Sequence, residues 1–219
     1  MRSRFALQVT TGGLGGGQGE AMKKEQVGWI AAVVIVATTA LVGITGGTAG
    51  ASSGRTREIR VFDSCDPASF NAAIGPDTCA PVADDPVTFD EFLAKLNPVD
   101  FGHEDWAFSR DEVGVRPGER MHIVNRGGEF HTFSRVAMLG GGCVPFINGA
   151  LGLAGPVAEC GDPNVFTPPT ATTPPNFGAS ANGVPPMASI DVTAPMAAGR
   201  YHYMCLIHPW MRTDVNVKS

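Results

Sequence analysis

Three side chains that bind transition metals lie between positions 205 and 211. Cys205, His208 and Met211 supply a thiolate, an imidazole and a thioether, and Pro209 prevents the segment from forming a regular helix or a central strand. A loop of this kind can direct all three side chains toward one point. A second imidazole is available from His131, in the separate segment Glu-Phe-His-Thr-Phe-Ser. The sequence therefore predicts a mononuclear metal site formed by these two histidines, the cysteine and the methionine.

The types of these ligands favour copper. Thiolate and thioether sulfur favour Cu(I), whereas imidazole binds both oxidation states, and the combination of two histidines, one cysteine and a weak axial methionine is that of blue-copper electron-transfer sites. Because the same ligands serve Cu(I) and Cu(II), little rearrangement accompanies the gain or loss of an electron. The sequence thus predicts one copper ion as cofactor and single-electron transfer as its chemistry. Glu129 lies two residues before His131, so on a strand both side chains face the same side. Its carboxylate is an alternative to Met211 as the axial ligand.

The other histidines have simpler interpretations. His202 has the opposite strand parity to Cys205 and is predicted to face outward. His122 alternates with apolar neighbours and is also predicted to be a surface residue, as is His103. Taken without its neighbours, Cys205 is equally well interpreted as a buried structural thiol.

Sequence patterns of copper enzymes are absent. A multicopper oxidase needs His-x-His pairs and the dinuclear centre of terminal oxidases needs Cys-x-x-x-Cys, and neither pattern occurs in the chain. We therefore expect an electron carrier and not an enzyme. Two other classes remain open. One is a copper-binding carrier or storage protein that uses the same ligands without fast redox exchange, and the other is a metal-free interaction module.

The first 51 residues have the pattern of an export signal. Lys23 and Lys24 precede an uncharged run over 28–44, and a stretch of small residues follows and contains Ala51. This order is typical of a secretory signal peptide, here with cleavage after Ala51, and predicts a secreted or periplasmic protein. A retained membrane anchor is an alternative, because about 17 residues is the lower limit for a spanning helix. A start of synthesis at Met22 is a further alternative for residues 1–21.

Export makes disulfide bonds plausible for four of the five cysteines. Cys65, Cys79, Cys143 and Cys160 lie in segments rich in Pro, Gly and Asp, whereas Cys205 lies in the most aromatic stretch of the chain. Four cysteines allow three connectivities. Pairing between neighbours in sequence would join Cys65 to Cys79 and Cys143 to Cys160, and would leave Cys205 free.

Residues 52–103 are predicted to form an N-terminal extension that is too small for a second domain. It begins with a strand over 57–62. Asp66 and Pro67 are suited to cap a short helix that ends near position 74. Thr88 and Glu91 form a capping box before a second helix over 88–96, whose apolar residues fall on one face.

From residue 106 onward the hydrophobic period changes to two. The predicted strands are 106–109, 112–115, 121–125, 130–136, 190–192, 201–205 and 215–217. Short strands separated by turn residues predict an all-β chain folded as a β-sandwich. Residues 140–186 interrupt the pattern with 9 Gly and 9 Pro, and we predict that this insertion contains no regular structure.

Several motifs between residues 104 and 219 resemble a small cupredoxin of the plastocyanin, amicyanin and pseudoazurin type. They are Trp106-Ala-Phe-Ser, Val115-Arg-Pro-Gly-Glu, Val124-Asn, His131-Thr-Phe, Gly199-x-Tyr-x-Tyr-x-Cys and Cys205-x-x-His-x-x-Met. The resemblance implies a Greek-key β-sandwich with one copper ion and outer-sphere electron transfer. The N-terminal extension and the insertion over 140–186 are departures from a minimal member of this family.

The resemblance also implies a role for each ligand. His131 is the upstream ligand, Cys205 the thiolate, His208 the ligand near the surface and Met211 the axial thioether. Thr132 occupies a position where plastocyanin-type proteins often have Asn, so the hydrogen bonds around the first histidine are expected to differ.

Charge limits the kinds of partner. The formal net charge is −5, and removal of residues 1–51 takes away four basic and two acidic side chains, which leaves −7. Nucleic acid is therefore a poor partner, and a basic, cytochrome-like redox protein is a better one. We expect a monomer that meets this partner through an apolar patch around Pro209 and Trp210, extended by apolar residues within 140–153. The protein is expected at a membrane only if the signal segment is retained.

Overall fold

The computed structural model describes residues 56–161 and 182–219. The predicted signal segment, the cleavage site after Ala51 and the middle of the insertion lie outside these residues. The strands are β1 (Arg57–Phe62), β2 (Ala107–Phe108), β3 (Glu112–Val115), β4 (Arg120–Asn125), β5 (His131–Thr132), β6 (Ser134–Val136), β7 (Gly183–Val184), β8 (Ser189–Thr193), β9 (Gly199–Met204) and β10 (Arg212–Val217). The helices are α1 (Pro67–Ala73), α2 (Phe89–Lys95) and α3 (Pro145–Ala150), with a 3₁₀ turn at Ala158–Cys160.

The strands form two four-stranded sheets and one small pair. The first sheet has the order β2-β1-β4-β8, the second has the order β3-β10-β9-β6, and β5 pairs with β7. Both sheets contribute to one hydrophobic cluster: Ile59 and Ile123 come from the first sheet, and Tyr203 and Val215 from the second. The prediction of a mostly β protein is confirmed, and two sheets that share one core are the arrangement of a β-sandwich. The Greek-key connectivity stays a prediction.

The N-terminal segment contributes to the first sheet. Strand β1 lies between β2 and β4, and its pairing with β4 is parallel, with Val61 opposite Asn125. The alternating apolar residues of β1 explain this position, since Ile59 and Val61 are both fully buried. A strand inside the sheet fixes the chain that follows it, and that chain leads to α1 and the first disulfide.

The two N-terminal helices begin at the residues that the sequence predicts. The side chain of Asp66 accepts hydrogen bonds from Ala68 N and Ser69 N at the start of α1. Thr88 and Glu91 form a reciprocal capping box at the start of α2. Both arrangements satisfy amide groups that a helix end leaves without partners.

Two disulfide bonds confirm the predicted pairing of the cysteines. Cys65 is bonded to Cys79 and Cys143 to Cys160, with sequence separations of 14 and 17. Cys205 is free and buried. Among the described residues, no helix is long and apolar enough to cross a bilayer.

The prediction for the insertion is wrong at both of its ends. Helix α3, the 3₁₀ turn and strand β7 all lie within residues 140–186. Pro145 is in the first turn of α3, where a missing amide proton costs nothing. The buried side chain of Asn148 donates to Gly142 O at 2.7 Å, and the disulfide closes the segment. A buried side-chain hydrogen bond and a covalent bridge therefore order a composition that predicts a loop.

Candidate metal centre

The loop after β9 folds back on itself between Cys205 and Met211. Cys205 N donates to Met211 O at 3.0 Å, and Met211 N donates to His208 O at 3.0 Å. These bonds close the seven-residue segment into a compact turn. Met211 is 1% exposed, so its thioether is held inside the protein on the same turn as the thiol and the imidazole.

Three of the four predicted ligands converge. The Sγ atom of Cys205 lies 3.8 Å from Nδ1 of His131 and 3.8 Å from Nδ1 of His208. The ligand atoms of these three residues all lie within 4.8 Å of one another, and the residues are buried. The structure therefore brings together side chains that are up to 77 positions apart in sequence.

These donor atoms fit a single first-row metal ion. Bonds of about 2.3 Å to thiolate sulfur and about 2.0 Å to imidazole nitrogen, as in zinc sites, separate sulfur and nitrogen by about 3.5–3.9 Å at ordinary bond angles. The two separations of 3.8 Å fall in this range. Both imidazoles present the same nitrogen, Nδ1, to the sulfur. A fit of this kind requires no movement of the backbone.

The electrostatics of the thiol also suit a metal ligand. Burial raises the pKa of Cys205, but hydrogen bonds from His131 and His208 outweigh this effect and hold the pKa well below its ordinary value. Burial lowers the pKa of His131, and hydrogen bonds with Asp63 and Cys205 reverse this and raise the pKa to about 10. A buried thiolate between two imidazoles is the reactive form for binding a cation.

Thr132 joins the two ligand segments. Its Oγ1 accepts a hydrogen bond from Leu206 N at 2.8 Å, and its backbone N donates to Sγ of Cys205 at 3.5 Å. The residue is fully buried. The hydrogen bonds that the sequence left open are therefore supplied by a threonine hydroxyl, which fixes the loop of Cys205 beside the strand of His131.

One residue that sequence reasoning missed contacts the site directly. Asp63 Oδ2 lies 2.7 Å from Nε2 of His131, and both side chains are completely buried. Asp63 follows a predicted strand and is 68 positions from His131, so no local pattern identifies it. Only the pairing of β1 with β4 brings it there.

His208 is not at the surface, which corrects the position implied by the family resemblance. It is 2% exposed. The rings of Phe92, Trp106 and Trp210 lie with their centroids 5.3–6.5 Å from its imidazole. Helix α2 carries Phe92, so the N-terminal extension packs directly against this imidazole.

Pro209 and Trp210 contribute little to the described surface, whereas Phe146, in the other range expected to form the apolar patch, is 64% exposed. Pro209 is buried, and Trp210 is partly buried. The indole Nε1 of Trp210 donates to His103 O and to Trp106 O at 3.1 and 3.2 Å. This indole packs against the fold, and a role for it in docking is not supported.

Glu129 lies near the site but on the far side of an imidazole. Its Oε2 accepts a 2.5 Å hydrogen bond from Trp106 Nε1 and lies 3.7 Å from Nε2 of His208, whereas Cys205 faces Nδ1 of the same ring. Burial raises the pKa of the Glu129 carboxyl. Its position beside Nε2 favours a supporting role over that of an oxygen ligand to the same ion.

The remaining histidines are away from the centre. His202 and His122 have side chains that are 34% and 35% exposed, and they pair with Asp214 and Asp191. Both therefore agree with the predicted outward orientation. The side chain of His103 is 13% exposed, so it lies at the surface but is more covered than the other two.

Comparisons with known proteins find similarity only among solved structures. No protein-family model matches the chain, and no curated protein matches it significantly. A reduced Cu(I) form of an amicyanin variant at pH 4 is 20% identical, and 51% of this chain covers 73% of that one with a TM-score of 0.30. A crystal structure of amicyanin from Paracoccus versutus is 18% identical, with 53% and 76% covered and a TM-score of 0.30. These values are too low to assign the chain to a family or to transfer a site.

Proposed function

We propose that this protein binds one copper ion through His131, Cys205, His208 and Met211 and carries single electrons between redox partners. The observation that supports this most is the convergence of a buried thiol and two imidazole Nδ1 atoms at 3.8 Å. Copper bound there would supply reversible one-electron chemistry between Cu(I) and Cu(II).

In this function the protein itself fixes the positions of the ligands and excludes water from them. Cys205 and His131 are 0% exposed, and His208 is 2% exposed, so water has little access to the donor atoms. The hydrogen bonds of Thr132 and the turn from Cys205 to Met211 fix the ligand positions before any ion binds. A rigid ligand set limits rearrangement when the charge of the centre changes.

The axial role of Met211 is part of the proposal. Its burial and its place on the closed turn favour it over Glu129, which faces the opposite edge of the His208 ring. Sulfur at this position also fits the preference of thioethers for Cu(I).

The proposed setting is outside the cytoplasm, and the proposed partner is a basic redox protein. Two disulfide bonds support the first point, because such bonds persist in oxidising compartments. The excess of acidic side chains supports the second, since it would steer a cationic partner at low ionic strength. We propose no catalysed reaction.

Copper storage or delivery is a second candidate, and one observation favours it. His208 is 2% exposed and lies beside three aromatic rings, which limit the access of a redox partner or a copper chelator to its imidazole. Slow copper release combined with slow electron self-exchange would support storage. Fast self-exchange with slow copper release would support the electron carrier.

Titration of the metal-free protein with Cu(II) tests the proposal. We expect one equivalent to produce an intense visible band that a reductant bleaches reversibly. The Cys205→Ser variant should lose this band, whereas the matched control His122→Gln, which changes an outward-facing imidazole, should keep it. A protein that takes up no copper would instead be a metal-free interaction module.

A further inference from the structure

Asp63 accepts three backbone hydrogen bonds and also contacts one of the predicted metal ligands. Its carboxylate is completely buried and accepts from Gly128 N at 2.9 Å, Glu129 N at 3.1 Å and Cys65 N at 3.3 Å. The remaining contact is the 2.7 Å bond with Nε2 of His131. Four donors surround one carboxylate, so its orientation is fixed on every side.

The surrounding chain is built to admit this carboxylate. A Cβ atom on Gly127 would lie 1.8 Å from Asp63 Oδ2. A Cβ atom on Gly128 would lie 2.3 Å from Ala80 O, so neither position accepts a side chain. The two glycines therefore allow the backbone before His131 to wrap around Asp63. On the other side, β1 and the bond from Cys65 to Cys79 hold Asp63 in place.

The contact with Asp63 decides which ring nitrogen of His131 can bind a metal ion. A carboxylate accepts hydrogen bonds, so Nε2 of His131 must carry the proton that is donated to it. Nδ1, the nitrogen that faces Cys205, is then the atom that gives up its proton and offers its lone pair when a metal ion binds. Partners of this kind fix the orientation of metal-binding imidazoles and increase their basicity.

Among the residues that the structure describes, the other imidazole has no equivalent partner. Nε2 of His208 lies 3.7 Å from Glu129 Oε2, which is beyond hydrogen-bond distance, and that oxygen is already engaged by Trp106. Packing against aromatic rings holds His208 instead. The carboxylate of Asp63 therefore orients His131 and has no counterpart at His208.

We propose that Asp63 is a positioning residue of the metal centre, which orients His131 and lowers the reduction potential of bound copper by favouring Cu(II) over Cu(I). A buried negative charge and a more basic imidazole both stabilise the more positive ion. The effect on the potential rests on the proposed copper function, whereas the orientation of His131 does not.

The experiment compares Asp63→Asn, Asp63→Ala and the control Asp191→Asn. Asp191 is a suitable control because it forms a 2.8 Å contact with an imidazole, that of His122, away from the centre. The first measurement is the NMR signal of the Nε2 proton of His131 in the metal-free protein. We expect a solvent-protected signal in the parent and the control, and its loss in Asp63→Ala.

The second measurement is the reduction potential of the copper-loaded proteins. In Asp63→Asn the amide keeps an acceptor for His131 but loses the charge, so we expect Cu(II) affinity to fall about tenfold more than Cu(I) affinity, which is a rise of about 59 mV. The control should match the parent. If Asp63→Ala does not fold, Asp63→Asn still decides the question through its potential.

Two results would overturn the inference. One is a protected Nε2 signal that persists in Asp63→Ala, and the other is an unchanged potential in Asp63→Asn. If the parent protein forms no blue site, the proposed function fails, and the NMR signal alone then decides whether Asp63 positions His131.

Discussion

The two imidazoles of the candidate centre are held by different forces. His131 is fixed by a polar contact, since its Nε2 meets the buried carboxylate of Asp63 at 2.7 Å. His208 is fixed by apolar packing, with Phe92 in edge contact and Trp210 beside it. A polar contact sets orientation and charge, whereas packing sets position and excludes water. The N-terminal segment supplies both Asp63 and Phe92, so it completes the centre from two directions.

The apolar half of this comparison is tested by Phe92→Ala, for which we expect the largest loss of stability. Phe92 is 4% exposed and packs against Phe70 and Trp106, and removal of a buried aromatic ring costs about 3–5 kcal/mol. Urea unfolding of the metal-free protein measures the loss. The control is Phe146→Ala, since this ring is 64% exposed and its removal should change stability by about 0.5 kcal/mol or less. Equal losses in the two variants would contradict the packing role.

The polar half is tested by comparing His131→Leu with His208→Leu. The first variant leaves Asp63 buried without its imidazole, and removal of one member of a buried pair costs about 3 kcal/mol or more. The second leaves Glu129 bonded to Trp106, so we expect a loss of about 1.5 kcal/mol or less. Unfolding of both metal-free variants in urea gives the difference. A larger loss for His208→Leu would reverse the assignment of forces.

The two disulfides separate the effect of Asp63 on the metal centre from a general effect on stability. Replacement of either cysteine pair by serine should cost on the order of 3 kcal/mol, because the two loops are of similar length. Only the pair Cys65 and Cys79 adjoins Asp63, so only its loss should also raise the reduction potential. A thiol count on the unfolded, metal-free parent without reductant should give one, and a count of three or five would contradict the bridges.

The smallest expected effect concerns Met211. A weak axial thioether adds little to copper binding, so Met211→Leu should keep a coloured site with a raised potential. Visible titration and voltammetry measure the two properties. Glu129→Gln is a matched comparison, since Glu129 faces the other edge of the His208 ring. A changed potential in Glu129→Gln together with an unchanged one in Met211→Leu would make the carboxylate the axial ligand.

Much of the fold could be predicted because its signals are local. The capping residues Asp66 and Thr88 identify their helices, and alternating apolar residues indicate β1 and most of β4. In the insertion the bridge from Cys143 to Cys160 could be predicted, but helix α3 and strand β7 could not, since hydrophobic periodicity does not mark them.

The site divides in the same way. Cys205, His208 and Met211 are visible in the sequence because they share one short loop, and His131 stands out as an imidazole on a strand pattern. Asp63 and Phe92 are not visible, because they reach the centre only through sheet pairing and helix packing. The burial of His208 follows from Phe92, so the family resemblance alone implied the wrong exposure.

The visible absorption spectrum of the copper-loaded protein tests the central claim most directly. Copper bound to a buried thiolate and two imidazoles should give an intense band that disappears on reduction, returns on oxidation and is absent from Cys205→Ser. A pale spectrum of ordinary Cu(II), or a band that survives in Cys205→Ser, would contradict a centre formed by His131, Cys205 and His208.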